Sequence, residues 1–220
     1  MAQNVLPGTQ TPSTKTVADV FTGVRSILNT TTTAMWTNAD LLEWINDGIT
    51  VISAHALCLG QTVDITIVAD TLEYSIATLS PTLRYAAAVA AIYQPAAAAT
   101  IKGLDYAGPD QIGKENAAGD VPNFFYLVDG RIGLWPIQAA GAAGVGKTVR
   151  VYLAELGAPV TATTDVIPLP AIFDTPLKHF VLAMAKYKDR KDSEGNLFMS
   201  LFDAVVQRYR IDFSEQQGAA

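Results

Sequence analysis

A chain of 220 residues, half of them hydrophobic and 16% charged, is too apolar to stay disordered. It can support one core with an added elaboration, but two full domains would be crowded. The net charge of −6, with no basic cluster, gives no indication of tight binding to a phosphate backbone, and the single cysteine, Cys58, excludes an internal disulfide framework or a cysteine-built zinc site.

The charge is unevenly placed. Thr37 to Trp135 holds eleven Asp or Glu against four Lys or Arg, whereas the rest of the chain is nearly balanced. No apolar run approaches the roughly 20 residues of a bilayer span, and the N-terminus lacks the basic-then-apolar order of a signal peptide. A soluble protein without a membrane partner, made in the cytoplasm, is expected.

Residues 1–15 are rich in Pro, Gly, Thr, Gln and Asn and read as an extended arm, unstructured or laid on a neighbour. From Thr16 the pattern is helical. Val17, Val20, Phe21, Val24, Ile27 and Leu28 recur at three- and four-residue steps, as do Leu41, Leu42, Ile45, Ile49 and Ile52 in a second helix. Thr16 precedes Asp19 by three residues and Thr37 precedes Asp40 likewise, so each helix opens with a hydroxyl for an orphan N–H and a carboxylate at the positive end of the dipole. Thr30 to Thr33 form a polar linker. Trp36 occupies the position before the Thr37 cap and is placed to staple back on Leu41.

From Gln61 the period changes to two. Val63, Ile65 and Ile67 alternate with Thr62, Asp64 and Thr66 as in a half-buried strand, and Thr71 to Ile76 continue it after a turn at Ala69-Asp70. Tyr85 to Ala98 is alanine-rich and fits either a helix or a buried strand. Gly103 to Pro122 reads as a long loop with one helical turn at Gln111 to Asn116. Phe124 to Val128, Asp129-Gly130 and Ile132 to Trp135 spell a hairpin with a type I′ turn. After the glycine- and alanine-rich 139–146, Val149, Val151 and Leu153 alternate with Arg150 and Tyr152. Pro168 and Pro170 close this region. Asp174 and Pro176 start a helix carrying Leu177, Phe180, Val181, Met184 and Tyr187. Asp192 or Ser193 caps a last helix with Leu197, Phe198, Leu201, Phe202, Val205 and Tyr209 on one side, followed by a polar tail.

The expected architecture is therefore α+β but mainly α, a four-helix core built from both chain ends with a small antiparallel β region inserted. The expected parts are an arm at 1–15, a helical core at 16–60 and 168–213, a β insertion with long loops at 61–167, and a tail at 214–220.

One chemical motif stands out. Gly141 to Thr148 fits the phosphate-loop pattern G-x-x-x-x-G-K-[ST], in which glycine N–H groups and a following helix hold phosphates, the lysine reaches them and the hydroxyl binds magnesium. Here Val-Arg-Val-Tyr-Leu follows Thr148, which says strand, so the helix dipole is missing. A nucleotide-binding protein is retained only as an alternative. His55 and His179 are single and lack ligand-spaced neighbours, and Cys58 follows an apolar helix end as a buried thiol does. No Ser, Cys or Thr lies in a nucleophile-elbow context. Trp36, Trp44 and Trp135 read as core or staple residues, with Trp44 off the main stripe and suited to an interface. No catalytic, cofactor-binding or metal residue is assigned, no cofactor is expected and the chain is not read as an enzyme.

The helix Val17 to Asn29, the motif W-T-x-A-D-L-L-x-W-I-N-D-G at Trp36 to Gly48, and Leu169-Pro170-Ala171-Ile172-Phe173 leading into Leu177 to Asp189 together resemble the head–tail adaptor (connector) proteins of tailed bacteriophages, particularly the podovirus type. The likeness spans most of 16–210. It implies a structural virion protein at the head–tail junction. Twelve copies would form a ring below the portal, contact the tail nozzle or tube, and continue a channel through which DNA passes without specific binding. An acidic wall suits such a channel because it does not hold passing phosphates. Another tail or minor capsid protein is the remaining alternative.

Overall fold

A computed structural model describes residues 11–29, 35–94, 101–108 and 119–218, with side chains as far as Arg210. The expected linker at Thr30 to Thr33, the helical turn at Gln111 to Asn116 and the first ten residues of the arm lie outside the described residues. The chain divides into two compact units, residues 1–59 with 156–220 and residues 60–155.

The first unit is helical because its apolar residues recur at helical spacing and its caps are satisfied. Helix α1 (Val17–Ile27) and helix α2 (Asn38–Ala56) each begin with a complete capping box. Thr16 N donates to Asp19 Oδ2 at 2.9 Å, and Thr37 N donates to Asp40 Oδ2 at 2.8 Å. A 3₁₀ turn at Ala171–Phe173 leads into α4 (Asp174–Lys188) and then α5 (Asp192–Gly218), with α3 (Ile76–Leu79) a single turn in the other unit. Helix α5 continues well past Phe213, where the sequence pattern ends it in a polar tail. The core joins Val17, Val20 and Val24 to Leu41, Ile45, Ile49 and Ile52, and to Leu177, Val181, Leu182, Ala185, Phe202 and Val206. Gly48 permits a close approach of α2 to α4, since a Cβ there would stand 2.6 Å from Leu177 Cδ1 and 3.0 Å from Phe180 Cδ1.

Two polar devices fasten irregular segments to this unit. Residues 11–18 run antiparallel to 163–171 as a strap, with Ser13 N donating to Leu169 O and Ala171 N to Thr11 O, both at 2.9 Å. The Asn46 amide completes the backbone of Val160 in both directions: Nδ2 donates to Val160 O at 3.0 Å and Oδ1 accepts from Val160 N at 2.8 Å.

The second unit corrects the expected fold class. The chain is not a mainly α four-helix core with a small antiparallel insertion; its middle is a seven-stranded, nearly closed, barrel-like mixed sheet. The strands are β1 (Gly60–Thr66), β2 (Glu73–Ser75), β3 (Tyr85–Gln94), β4 (Lys102–Tyr106), β5 (Phe124–Val128), β6 (Arg131–Trp135) and β7 (Thr148–Glu155), in the order β1-β7-β3-β4-β5-β6-β2. Two segments account for the difference. Tyr85–Gln94, alanine-rich and compatible with either state, is a strand because it pairs along its length with β7, placing Ala91 against Val151 and Tyr93 against Val149. Here tertiary pairing overrides the helical preference of alanine. Lys102–Tyr106, read as loop, pairs antiparallel with β3 and parallel with β5, which makes the sheet mixed.

The expected hairpin is present as β5 and β6, with Asp129 at φ +46° and Gly130 at φ +73°. Near the two ends of the strand order, the Tyr74 hydroxyl of β2 accepts from Val68 N, just beyond β1, at 3.0 Å. Val63, Ile65, Leu104, Phe125, Ile132, Leu134, Val149, Val151 and Leu153 fill this unit's own core. On its outer side Arg150 grips Asp64 across strands, Nε and Nη2 donating to the two carboxylate oxygens at 2.7 and 2.8 Å.

Candidate functional site

The phosphate-loop match is where chemistry would be sought first, and its backbone is already engaged. Gly144 N donates to Asp120 O at 2.7 Å, Gly146 N to Ile67 O at 2.9 Å, Ala142 N to Ala139 O, Val145 N to Ala142 O and Lys147 N to Gly144 O. Gly141 and Gly146 adopt φ +89° and +75°, and β7 begins at Thr148. A phosphate cradle needs those N–H groups converging on the ligand and a helix behind them. This loop aims them at carbonyls of its own unit and runs into a strand, so Lys147 and Thr148 are not assembled into a nucleotide site.

The histidines and the cysteine are dispersed. His55 is exposed near the end of α2. His179 lies against Phe198, ring centroids 6.1 Å apart, and its Nδ1 is buried with no hydrogen-bond partner among the described residues. Burial, with help from Lys178, lowers its pKa and favours the neutral ring. The Cys58 thiol packs against the helical core, where desolvation pushes its pKa up to about 12, which suppresses the thiolate a nucleophile requires. Among the described residues no group of three His, Cys, Asp or Glu is placed to hold a metal ion.

The arrangement suits recognition surfaces better than a reaction centre. Trp36, at the staple position, is buried in the helical core together with Leu41, and its Nε1 donates to Ala185 O at 3.1 Å, so it ties the start of α2 to α4. Trp44 is partly buried, with Lys188 Nζ 5.8 Å from its ring centroid. The same Nζ lies 2.8 Å from Asp40 Oδ2, and it is the first of the contacts that hold the Asp40 carboxyl down at a pKa of about 2, ahead of the Thr37 hydrogen bonds. Asp40, Trp44 and Lys188 thus form one partly exposed polar-aromatic cluster on α2 and α4.

Helix α5 departs from its sequence pattern. Leu197 and Leu201 read as part of the apolar side of this helix, yet they are 60% and 44% exposed, while Gly195, Phe202 and Val206 face the core. The separation was available in the sequence as an angle: Leu197 and Leu201 each lie about 100° round the helix from Phe198 and Phe202. The Asn46 bridge to Val160 could not be anticipated, because nothing local in a helical asparagine names a partner more than a hundred residues away.

A comparison with curated proteins finds none that matches. A family model described as "SU10 adaptor protein" matches residues 15–220 and so spans both units. Adaptors of this kind are structural proteins. With almost its whole length covered, the chain belongs to the SU10 adaptor protein family and is a head–tail adaptor, a structural protein of a bacteriophage virion.

Proposed function

We propose that the protein assembles as a ring of twelve copies below the portal, links it to the tail nozzle or tube, and continues the channel through which the genome passes. The match across residues 15–220 carries this reading, since adaptor membership implies contact with portal and tail components. The net charge of −6 and its concentration between Thr37 and Trp135 add a physical reason. A lumen lined with carboxylates repels phosphates, so DNA slides without being held, and specific DNA recognition has no part in the function. The chain is made in the host cytoplasm, and its role is structural rather than catalytic.

The test is the mass in solution of the purified protein, alone and mixed with its portal protein. A discrete species of twelve 23.4 kDa chains, in either sample, is the expected result. A monomer in both samples overturns the ring. A particle in which the labelled protein sits in the tail or shell, away from the junction, would place it instead among other tail or minor capsid proteins.

A further inference from the structure

The seam between α4 and α5 is fastened along its length, and one imidazole sits within it. At the entrance to α4 the Phe173 ring meets Tyr209 with centroids 5.0 Å apart, and Phe180 meets Phe202 at 5.1 Å. Toward the end of α4, Tyr187 lies so close to Gly195 that a Cβ there would stand 2.5 Å from its Cε1. The Tyr187 hydroxyl donates to Asn196 Oδ1 at 2.9 Å, and Lys186 Nζ lies 2.6 Å from Glu194 Oε2. These groups keep one charge state between mildly acid and neutral pH. Lys186 holds the Glu194 carboxyl below its usual range, and burial pushes the Tyr209 hydroxyl up.

His179 breaks that pattern. Its ring rests on Phe198 of α5, with Nδ1 buried and without a hydrogen-bond partner among the described residues. Lys178 is the charge that acts on it, and no carboxylate of α4 or α5 (Asp174, Asp189, Asp192, Glu194 or Asp203) counters that lysine. A neutral ring fits such a place, since an unmatched lone pair costs little beside a buried charge. Protonation sets a charged N–H beside Lys178 and an apolar ring, with no acceptor, so the imidazolium must turn out of the seam to reach water.

We propose that His179 makes this seam an acid-sensitive joint: the neutral ring completes the packing of α5 on α4, and the protonated ring leaves it, freeing the turn of α5 around Phe198. Because burial lowers the folded-state pKa below the ordinary 6.5, the joint is fully closed above that value and opens as pH falls through the lower one. This goes beyond the ring reading and does not depend on it.

Backbone hydrogen exchange of the full-length protein tests the joint, read by mass spectrometry at about pH 7.5 and about pH 5 and corrected for the intrinsic effect of pH. Peptides across Glu194 to Leu201 should exchange roughly threefold or more faster at the lower pH, while those across Leu41 to Ile52 of α2 change little. His179→Gln, uncharged at both pH values, should abolish the response, and His55→Gln, at an exposed position, should retain it. No response in the parent, or one that survives His179→Gln, overturns the proposal. Deuterium uptake at the ring C2 of His179, followed against pH in the unsubstituted protein, gives its titration midpoint even if His179→Gln fails to fold. A midpoint below 6.5 is expected, and one at or above 6.5 overturns the joint.

Discussion

Asn46→Ala removes both hydrogen bonds between α2 and Val160 while leaving the helix itself well formed, since alanine is the best helix former. The bonds are short, 3.0 and 2.8 Å, and Val160 is only 4% exposed, so water cannot easily replace the lost amide. Each such bond contributes about 1 kcal/mol net, and stranding a buried backbone donor or acceptor costs about 1–3 kcal/mol. A loss of roughly 3 kcal/mol is therefore expected, which lowers the melting temperature by about 6–12 °C for a chain of this size. Asn38→Ala is the matched control. Asn38 is exposed and accepts one bond from Arg25 Nη2 at 2.9 Å, so it should lose no more than about 0.5 kcal/mol. Thermal unfolding followed by circular dichroism, with a urea titration to obtain the free energy, reads both variants. If Asn46→Ala melted within 2 °C of the parent, the segment around Val160 would not be held by this amide and the reasoning would fail.

Three further outcomes follow from the same structure. Asp40 has its carboxyl depressed to about 2, so its stabilisation is fully present above the unfolded value near 3.8 and is lost as pH falls through about 2; Asp40→Ala should flatten the stability profile between pH 4 and 2, and an unchanged slope would refute the cap. Gly48→Ala should destabilise by about 1–3 kcal/mol in denaturant titration, because the new methyl meets Leu177 and Phe180 in a close-packed core, and a neutral result would mean that α2 and α4 are less closely packed than described. Calorimetric titration of magnesium–ATP should be flat for the parent and for Lys147→Ala alike, and a saturable heat lost in the variant would restore the phosphate-loop reading.

The helix starts were legible because capping is local: Thr16 with Asp19 and Thr37 with Asp40 are three-residue signals, and both capping boxes are present. The Asp129-Gly130 hairpin was legible for the same reason, a turn chemistry written in adjacent residues. What misled the reading of fold class were segments whose state is decided by distant partners. Ala86 to Ala91 have neither strong strand preference nor alternation, and only β7, some sixty residues later, makes them a strand. Lys102–Tyr106 lies among glycine and proline and joins the sheet through β3 on one side and a parallel neighbour on the other, a pairing no nearby turn announces. The exposed face of α5 was hidden by counting apolar residues without resolving their angle. For the phosphate-loop match, the strand signature after Thr148 was in the sequence, but the engagement of the loop's N–H groups with Asp120 and Ile67 was not.

The helical unit is discontinuous in sequence, and this orders events on the ribosome. Residues 60–155 form their unit from one contiguous stretch and can finish while the chain is still being made. The apolar faces of α1 and α2 emerge first, yet their partners Leu177, Val181, Phe202 and Val206 arrive more than a hundred residues later. At about 5–20 residues per second, those faces wait for roughly 10–30 s. Nascent chains therefore carry open apolar helical faces on their first quarter while residues 60–155 are already able to close their own core.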